Sequence, residues 1–517
     1  MVDVDELRRA KHGPPAVDQL LEIIDALQVQ LGAAHQQLNT TQLQLDTTQQ
    51  QLQSALVRIA ALEKQSPPPA PKLNYSLDGE AKRQNKRGQG QAQKRIVGRR
   101  GRLKTKDKIA LAARTETIYP DGVPPEQCRL SHTRVLWRLE NGQAILVAYE
   151  IYRGSNKQYG QVPGTLGRCE FGLEIVTQIA FLVYTVGLSF DKVVLLLKFF
   201  QNLNLTKTQA DRLMNRLAKQ WEHEFETLCS LLSHSLIVHA DETSWSLNSV
   251  WAMLSEKARI LLFGVHKDAK TLEKLLDPAT FAGLVISDHA AVYNQFDQMQ
   301  KCWAHLIRKA IKLSLQAPNN AAYQQFLDGL LAIDQEARRV QRDEQYSVVD
   351  RAADVTRLKD RLWDLCPASE LGDEAAAIER SGFAHAYYLL VREVFELSEQ
   401  LFAFVTAPVA TQPNGETKPV DGTNNEAERT LRGPALVRKT GRTNKSMTGA
   451  WRQTILTRVL ESLRLYLPKF TFRDVVDEIN RWPQEGCSCF SKLLKTLNLQ
   501  PMDKILDRLF PSPAPTG

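Results

Sequence analysis

Between Leu236 and Leu306 the chain carries five short β-forming runs in an order that few folds accept. Three come first with no helix between them: LIVHADET (Leu236 to Thr243), SVWAMLS (Ser249 to Ser255) and ARILLFGVH (Ala258 to His266). A helix is expected from about Lys270 to Leu276, then a fourth strand, GLVISD (Gly283 to Asp288), and a short helix. A fifth strand around MQKCWAH (Met299 to His305) leads into a helix from about Leu306. Three meandering strands followed by alternating helix and strand build a mixed sheet with helices on its faces.

This order matches a ribonuclease-H-like fold, in which the first and fourth strands are neighbours. Asp241 ends the first strand and Asp288 the fourth, so the two carboxylates are expected side by side although distant in sequence. Adjacent carboxylates repel, and divalent cations are the simplest way to hold them ionised. Mg²⁺ favours a few carboxylates plus water and phosphate oxygens, and two such ions about 4 Å apart activate an attacking oxygen and stabilise a leaving one. The implied substrate is a phosphodiester. A third acid is expected from TNNEAERTLRG, which sets Glu426 and Glu428 in one helical turn. Residues two apart on a helix point about 200° from each other, so only one can face the sheet. Ala427 and Leu431 mark the buried side, which leans toward Glu428 without deciding the matter.

Upstream, apolar residues recur at spacings of three and four from Leu20 to Leu62, the pattern of a coiled coil with a weak second core position. Prolines 67 to 69 and 71 stop it, and residues Lys82 to Lys108 then hold twelve Lys or Arg and one acid. This tract is too polar to fold alone and is drawn to a polyanion. Its GRRGR, with Arg99, Arg100 and Arg102, is similar to an arginine hook for the DNA minor groove, without the usual proline. A hairpin is expected over Arg134 to Arg153 around Asn141-Gly142. Leu188 to Trp221 reads as helix, short break and Thr-capped helix, the outline of a helix-turn-helix, with Lys207, Gln209 and Arg212 near the start of the second helix. The apolar run Phe171 to Phe190 contains Glu174, Gln178 and Gly187 and reads as a buried helix rather than a membrane span. Seven scattered cysteines without a CxxC pair, behind an acidic N-terminus without a leader, point to reduced thiols in a cytoplasm.

HADET, SDHAAVY, CWAH followed by Arg308-Lys309, and NNEAERTLR followed by VRK together resemble the signature blocks of the insertion-sequence 66 family of DDE transposases, over roughly Arg134 to Leu465. That resemblance implies a bacterial, nucleoid-associated enzyme that cuts double-stranded DNA at the ends of an element and joins the freed 3′-hydroxyls to target DNA. It implies two Mg²⁺ ions, with Mn²⁺ a possible substitute, on Asp241, Asp288 and the glutamate preceding arginine in the last block, which is Glu428. Glu426 is then a solvent-facing acid of the first turn, and Glu242 points to the opposite strand face. Arg429, Arg432, Arg438 and Lys439 follow with no acid before Glu461, and are expected on phosphates beside the site. The coiled coil implies a homodimer or larger assembly, and helper proteins are possible partners.

The expected organisation is a coiled coil (1–65), a Pro-rich then basic linker (66–108), a small β-containing region (109–160) and a helical DNA-binding region (161–235). The catalytic core follows in two parts (236–317 and 406–465) around a helical insertion (318–405), with a helical C-terminal region ending in a disordered tip (466–517). Where relatives carry a cysteine cluster, this chain has only Cys128 and Cys169, so no structural zinc is expected. His289 stands where the family has glycine, and it either packs or tunes the metal site. Cys302 and His305 read as core residues of a strand, and Trp245, Trp251 and Trp303 as core aromatics. Two competing readings remain: an inactive, transposase-derived sequence-specific DNA-binding protein, and a junction or repair nuclease on the same fold. Survival of all three acids disfavours the first. The second leaves the zipper and helix-turn-helix unexplained.

Overall fold

The computed structural model describes residues 29, 31–33, 35–43, 46–47, 104–155, 157–371 and 382–510. The protein is mixed α/β and divides into two units, Met1–Arg102 and Leu103–Gly517. In the first unit the described residues are helical and expose Leu31, Leu38 and Leu43. The rest of the expected coiled coil, and the linker to residue 103 with Arg99, Arg100 and Arg102, lie outside the described residues.

The second unit begins with a long antiparallel hairpin, β2 (Cys128–Glu140) with β3 (Gln143–Gly154), to which β1 (Arg114–Ile118) adds in parallel. Asn141 and Gly142 turn the hairpin at φ 48° and 76°, left-handed values that an Asn-Gly pair accepts at little cost. Helix α1 (Leu173–Ala180) passes into a π-helical turn over Phe181–Thr185 and stops before Gly187 (φ 78°), so the apolar segment is an interrupted helix. Helix α2 (Phe190–Gln201) ends on left-handed Asn202, and α3 (Lys207–Gln220) starts from Thr206, which accepts from the Gln209 amide at 3.2 Å. Helix α4 (Glu222–Ser233) then leads into the central sheet. Among the described residues no helix is long and apolar enough to cross a membrane.

The central sheet has the order β6-β5-β4-β7-β8: β4 (Ile237–Ser244), β5 (Ser249–Ser255) and β6 (Arg259–Val265) are antiparallel, while β7 (Leu284–Ser287) and β8 (Met299–Lys301) run parallel to β4. The fifth strand is shorter than the sequence suggested, because Cys302 already caps helix α5 (Trp303–Gln316). Alternation along β4 sends Val238 and Ala240 into a core shared with α1 to α4. Ile237, Leu284 and Ile286 face a second core, built with α5 and the helices that follow it. Those are α6 (Ala321–Arg342), α7 (Val348–Leu365) and α8 (Gly382–Glu396). Helix α9 (Asn425–Lys439) then returns to the sheet.

Helix α10 (Met447–Tyr466) closes the β6 edge. Its Thr454 hydroxyl accepts from the Phe263 amide and its Ser462 hydroxyl from the Arg259 amide, each at 3.0 Å, so the edge backbone is satisfied within the unit. The approach is close because Gly264, at φ 81°, has no side chain; a Cβ there would lie 2.8 Å from Cβ of Ala450. Gly264→Ala is therefore expected to destabilise the unit by roughly 2 kcal/mol in urea unfolding, from overpacking plus a left-handed backbone.

Candidate functional site

β4 and β7 pair in parallel with Val238 beside Val285 and His239 beside Ile286. Carried two residues further, this register sets Asp241 beside Asp288, the first residue after β7. Strand alternation leaves His239, Asp241 and Thr243 on the half-open face of β4 and turns Glu242 to the buried face. The Asp241 carboxylate accepts from the Glu242 amide at 2.8 Å and that of Asp288 from the Ala290 amide at 3.0 Å.

The third acid is placed by Asn424. Fully buried at the start of α9, its side-chain amide donates to the Ala240 carbonyl at 2.8 Å and its backbone amide to Cys302 Sγ at 3.1 Å. That pins the helix to the residue preceding Asp241, while Ala427 and Leu431 seat it on the sheet. Glu428 emerges one turn on, facing Arg308, whose Nη2 donates to its two oxygens at 2.8 and 3.1 Å; His305 Nε2 lies 3.6 Å away. Glu426 turns aside. It is half-buried and paired with Arg259 at 2.7 Å, which corrects the expectation of a solvent-facing acid.

Burial pushes the Asp241 carboxyl up to about 7, with further upward contributions from the charges of Asp288, Glu242 and Glu428. The charges of the other two acids expected from sequence, Asp288 and Glu428, thus both reach Asp241. Glu242 is answered behind the sheet, by the Tyr293 hydroxyl and by Lys267 at 2.6 Å. Among the described residues Asp241 and Asp288 hold no salt bridge. Lys301, buried beside them, donates to the Asp288 carbonyl at 3.2 Å and to Asn294 at 3.1 Å, and burial pushes its ammonium down to about 8. Two adjacent carboxylates without an ion pair, beside a third held by Arg308, fit a divalent cation such as Mg²⁺.

One atom each of Cys302, His305 and Glu428 also lie within 4.8 Å of one another. The Cys302 sulfur, however, is engaged by the Asn424 amide, and burial raises its pKa, away from the thiolate a metal needs. Cys302 is a core residue, but His305 lies on α5 rather than in a strand and faces Glu428, contrary to the sequence reading. His289 is mostly buried, bonded to Glu393 of α8 at 2.5 Å, with its ring 5.7 Å from that of His305. Lys309 of α5 also pairs with Glu393, so helix α8 braces both α5 and the loop that follows β7 beside the acids. Sequence reasoning missed Arg308, Asn424 and Glu393 as contributors. The first two sat inside quoted motifs; Glu393 had no local signal.

Of the remaining sequence candidates, Lys207 is exposed but paired with Asp191 at 2.8 Å, Gln209 closes the helix cap with Thr206, and Arg212 is exposed. Arg429, Arg432 and Lys439 are exposed on α9, whereas Arg438 is anchored to Ser244. Trp245, Trp251 and Trp303 are buried, with their indole N–H groups bonded to Asn444, His266 and Leu401 at 2.9, 3.0 and 2.6 Å.

The folded pKa of Asp241 lies above its unfolded value near 3.9, so folding favours its protonated form. The cost of its charge therefore grows as pH rises from about 4 through 7 and then levels off. In EDTA, Asp241→Asn is expected to match the wild type in urea unfolding at pH 4 and to be roughly 2 kcal/mol more stable at pH 8.

A sequence model of the Transposase IS66 family matches residues 168–452, which takes in the helices before the sheet, the sheet itself, the helical segment after α5, and α9. No curated protein matches the chain. The family match spans more than half of the chain and all three carboxylates: this protein belongs to the IS66 family of transposases.

Proposed function

We propose that the chain is a DNA transposase whose catalytic acids are Asp241, Asp288 and Glu428, set in a ribonuclease-H-like core. The observation that carries this reading is the approach of three carboxylates, from β4, from the end of β7 and from α9: the charges of Asp288 and Glu428 add to burial in raising the Asp241 pKa. The strand order, with the first strand between the second and the fourth, supports the core assignment.

Asp241, Asp288 and Glu428 would hold the divalent ions, Mg²⁺ or in its place Mn²⁺, which when bound activate the attacking oxygen and stabilise the leaving oxygen of a phosphodiester. The chain's own groups do the rest. Asn424 fixes the third acid against the first. Arg308 neutralises Glu428 in the protein alone and, being half-exposed, is free to turn to a phosphate when a cation takes its place. Exposed Arg432 and Lys439 supply phosphate contacts along α9. A groove of about 900 Å³ lined by Lys207, Lys439, Arg442 and Lys445 joins the start of α3 to the end of α9, a path that suits a DNA strand running from a helix-turn-helix toward the acids. Assembly on two element ends is assigned to the N-terminal coiled coil.

The test is incubation of purified protein and Mg²⁺ with DNA bearing the element's terminal repeats. Asp241→Asn, Asp288→Asn and Glu428→Gln are each expected to lower end cleavage about a thousand-fold, the loss of several kcal/mol of charge stabilisation. Glu426→Gln is expected to stay within a few-fold of wild type. Loss of cleavage in Glu426→Gln with Glu428→Gln active would reverse the assignment.

A further inference from the structure

A cavity of about 360 Å³ lies between α6, α9 and the first three strands of the sheet. Glu426 and Arg429 of α9 line it; Asp241, Asp288 and Glu428 do not. Gln341 of α6 fixes one wall by donating to the Phe404 and Val420 carbonyls at 2.9 and 2.6 Å.

The charges around this cavity do not balance. Its carboxylates are already answered: Glu256 by Lys257 at 2.8 Å, Asp421 by Arg338 at 3.0 Å, and Glu426 by Arg259 at 2.7 Å. Arg342 and Arg429 reach it with no salt-bridge partner among the described residues. Three buried polar atoms of the lining also lack a hydrogen-bond partner: Thr423 Oγ1, His239 Nδ1 and Arg259 Nε. Thr423 is only 5% exposed, so solvent does not serve it. The second oxygen of Glu256 is an orphaned acceptor, and His239 Nδ1 serves either way by tautomer, but the two guanidiniums without an ion-pair partner leave positive charge in excess. Native interiors leave few polar groups unpaired, so these atoms are available to a polar ligand that enters the cavity. The volume falls at the low end of small-molecule pockets and is far too small for a duplex. Paired guanidiniums are the side chains best matched to phosphate oxygens.

We propose that this cavity is a phosphate-binding site, separate from the carboxylate cluster, which takes a phosphate monoester dianion. The dianion is either a free phosphate or nucleotide or the terminal phosphate of a DNA strand. Arg342 and Arg429 clamp it from two sides, and Thr423 and Arg259 donate from the cavity wall.

Calorimetric titration without divalent ions tests this, using inorganic phosphate, a deoxynucleoside monophosphate, and one short oligonucleotide with and without a 5′-phosphate. Phosphate and the mononucleotide are expected to bind one to one with a dissociation constant of about 1 mM or tighter. Arg342→Gln with Arg429→Gln is expected to weaken them at least about ten-fold, and Thr423→Val a few-fold. Arg473→Gln, exposed and outside the cavity, is expected to leave them unchanged. Tighter binding of the 5′-phosphorylated oligonucleotide than of its 5′-hydroxyl twin assigns the site to DNA ends, and equal binding assigns it to free phosphate or nucleotide. Absence of phosphate binding, or equal affinity in the double variant, overturns the proposal. Crystals soaked in tungstate give a readout free of any folding effect: a peak inside the cavity supports the site, and peaks only elsewhere overturn it. Because no arm contains metal or terminal-repeat DNA, failure here leaves the cleavage reading untouched, and the reverse holds too.

Discussion

The arrangement of acids depends on one buried side chain. Asn424 joins α9 to β4 through the Ala240 carbonyl and to the start of α5 through Cys302. Three segments far apart in sequence therefore meet at one residue, through its side-chain and its backbone amide. An aliphatic residue there would leave the Ala240 carbonyl unpaired in the core, at a cost of about 1–3 kcal/mol, and would free α9 to slide along the sheet. Glu428 lies a single helical turn from this clamp, so small shifts in α9 carry directly to the third acid.

Around that clamp the structure sets like charges together and leaves the front of the cluster without compensation. Asp241 and Asp288 are adjacent because β4 and β7 are parallel neighbours, which is a matter of topology. The balancing cations are displaced from them: Lys267 serves Glu242 behind the sheet, Arg308 serves Glu428 at one side, and Lys301 reaches the Asp288 carbonyl and Asn294 rather than either carboxylate. Burial first, and then the neighbouring carboxylates, hold the Asp241 carboxyl near pKa 7. Two packed cores on opposite faces of the sheet offset its cost and keep the acids from relaxing apart.

Much of this was legible in the sequence because it was written in local patterns. The five β-forming runs, the Asn141-Gly142 hairpin and the Thr206 cap are readable from a few neighbouring residues each, and Asp241 and Asp288 stand out as acids that close apolar runs, although β4 continues past Asp241 to Ser244 because its pairing with β5 does. What was not legible depended on distant partners. Glu426 is polar on a helix and reads as solvated, yet Arg259, on a strand distant in sequence, holds it. His305 looked like a strand residue because the apolar run continues past Lys301, where the chain has already turned into α5. Glu393 sits in a helix whose own sequence says nothing of a site, and only the fold brings it to His289 and Lys309. Most of the N-terminal heptads and the basic arginines lie outside the described residues, so their proposed roles stand on composition and spacing.

The central claim is that Asp241, Asp288 and Glu428 form a single divalent-cation site. Crystals soaked in Mn²⁺ and measured at the manganese absorption edge test it most directly. The account predicts anomalous peaks bounded by these three carboxylates, with Glu428 turned from Arg308 toward the metal, and none in Glu428→Gln at the position nearest α9. Manganese bound instead by Cys302 and His305, or a site that leaves Glu428 on Arg308, would contradict it.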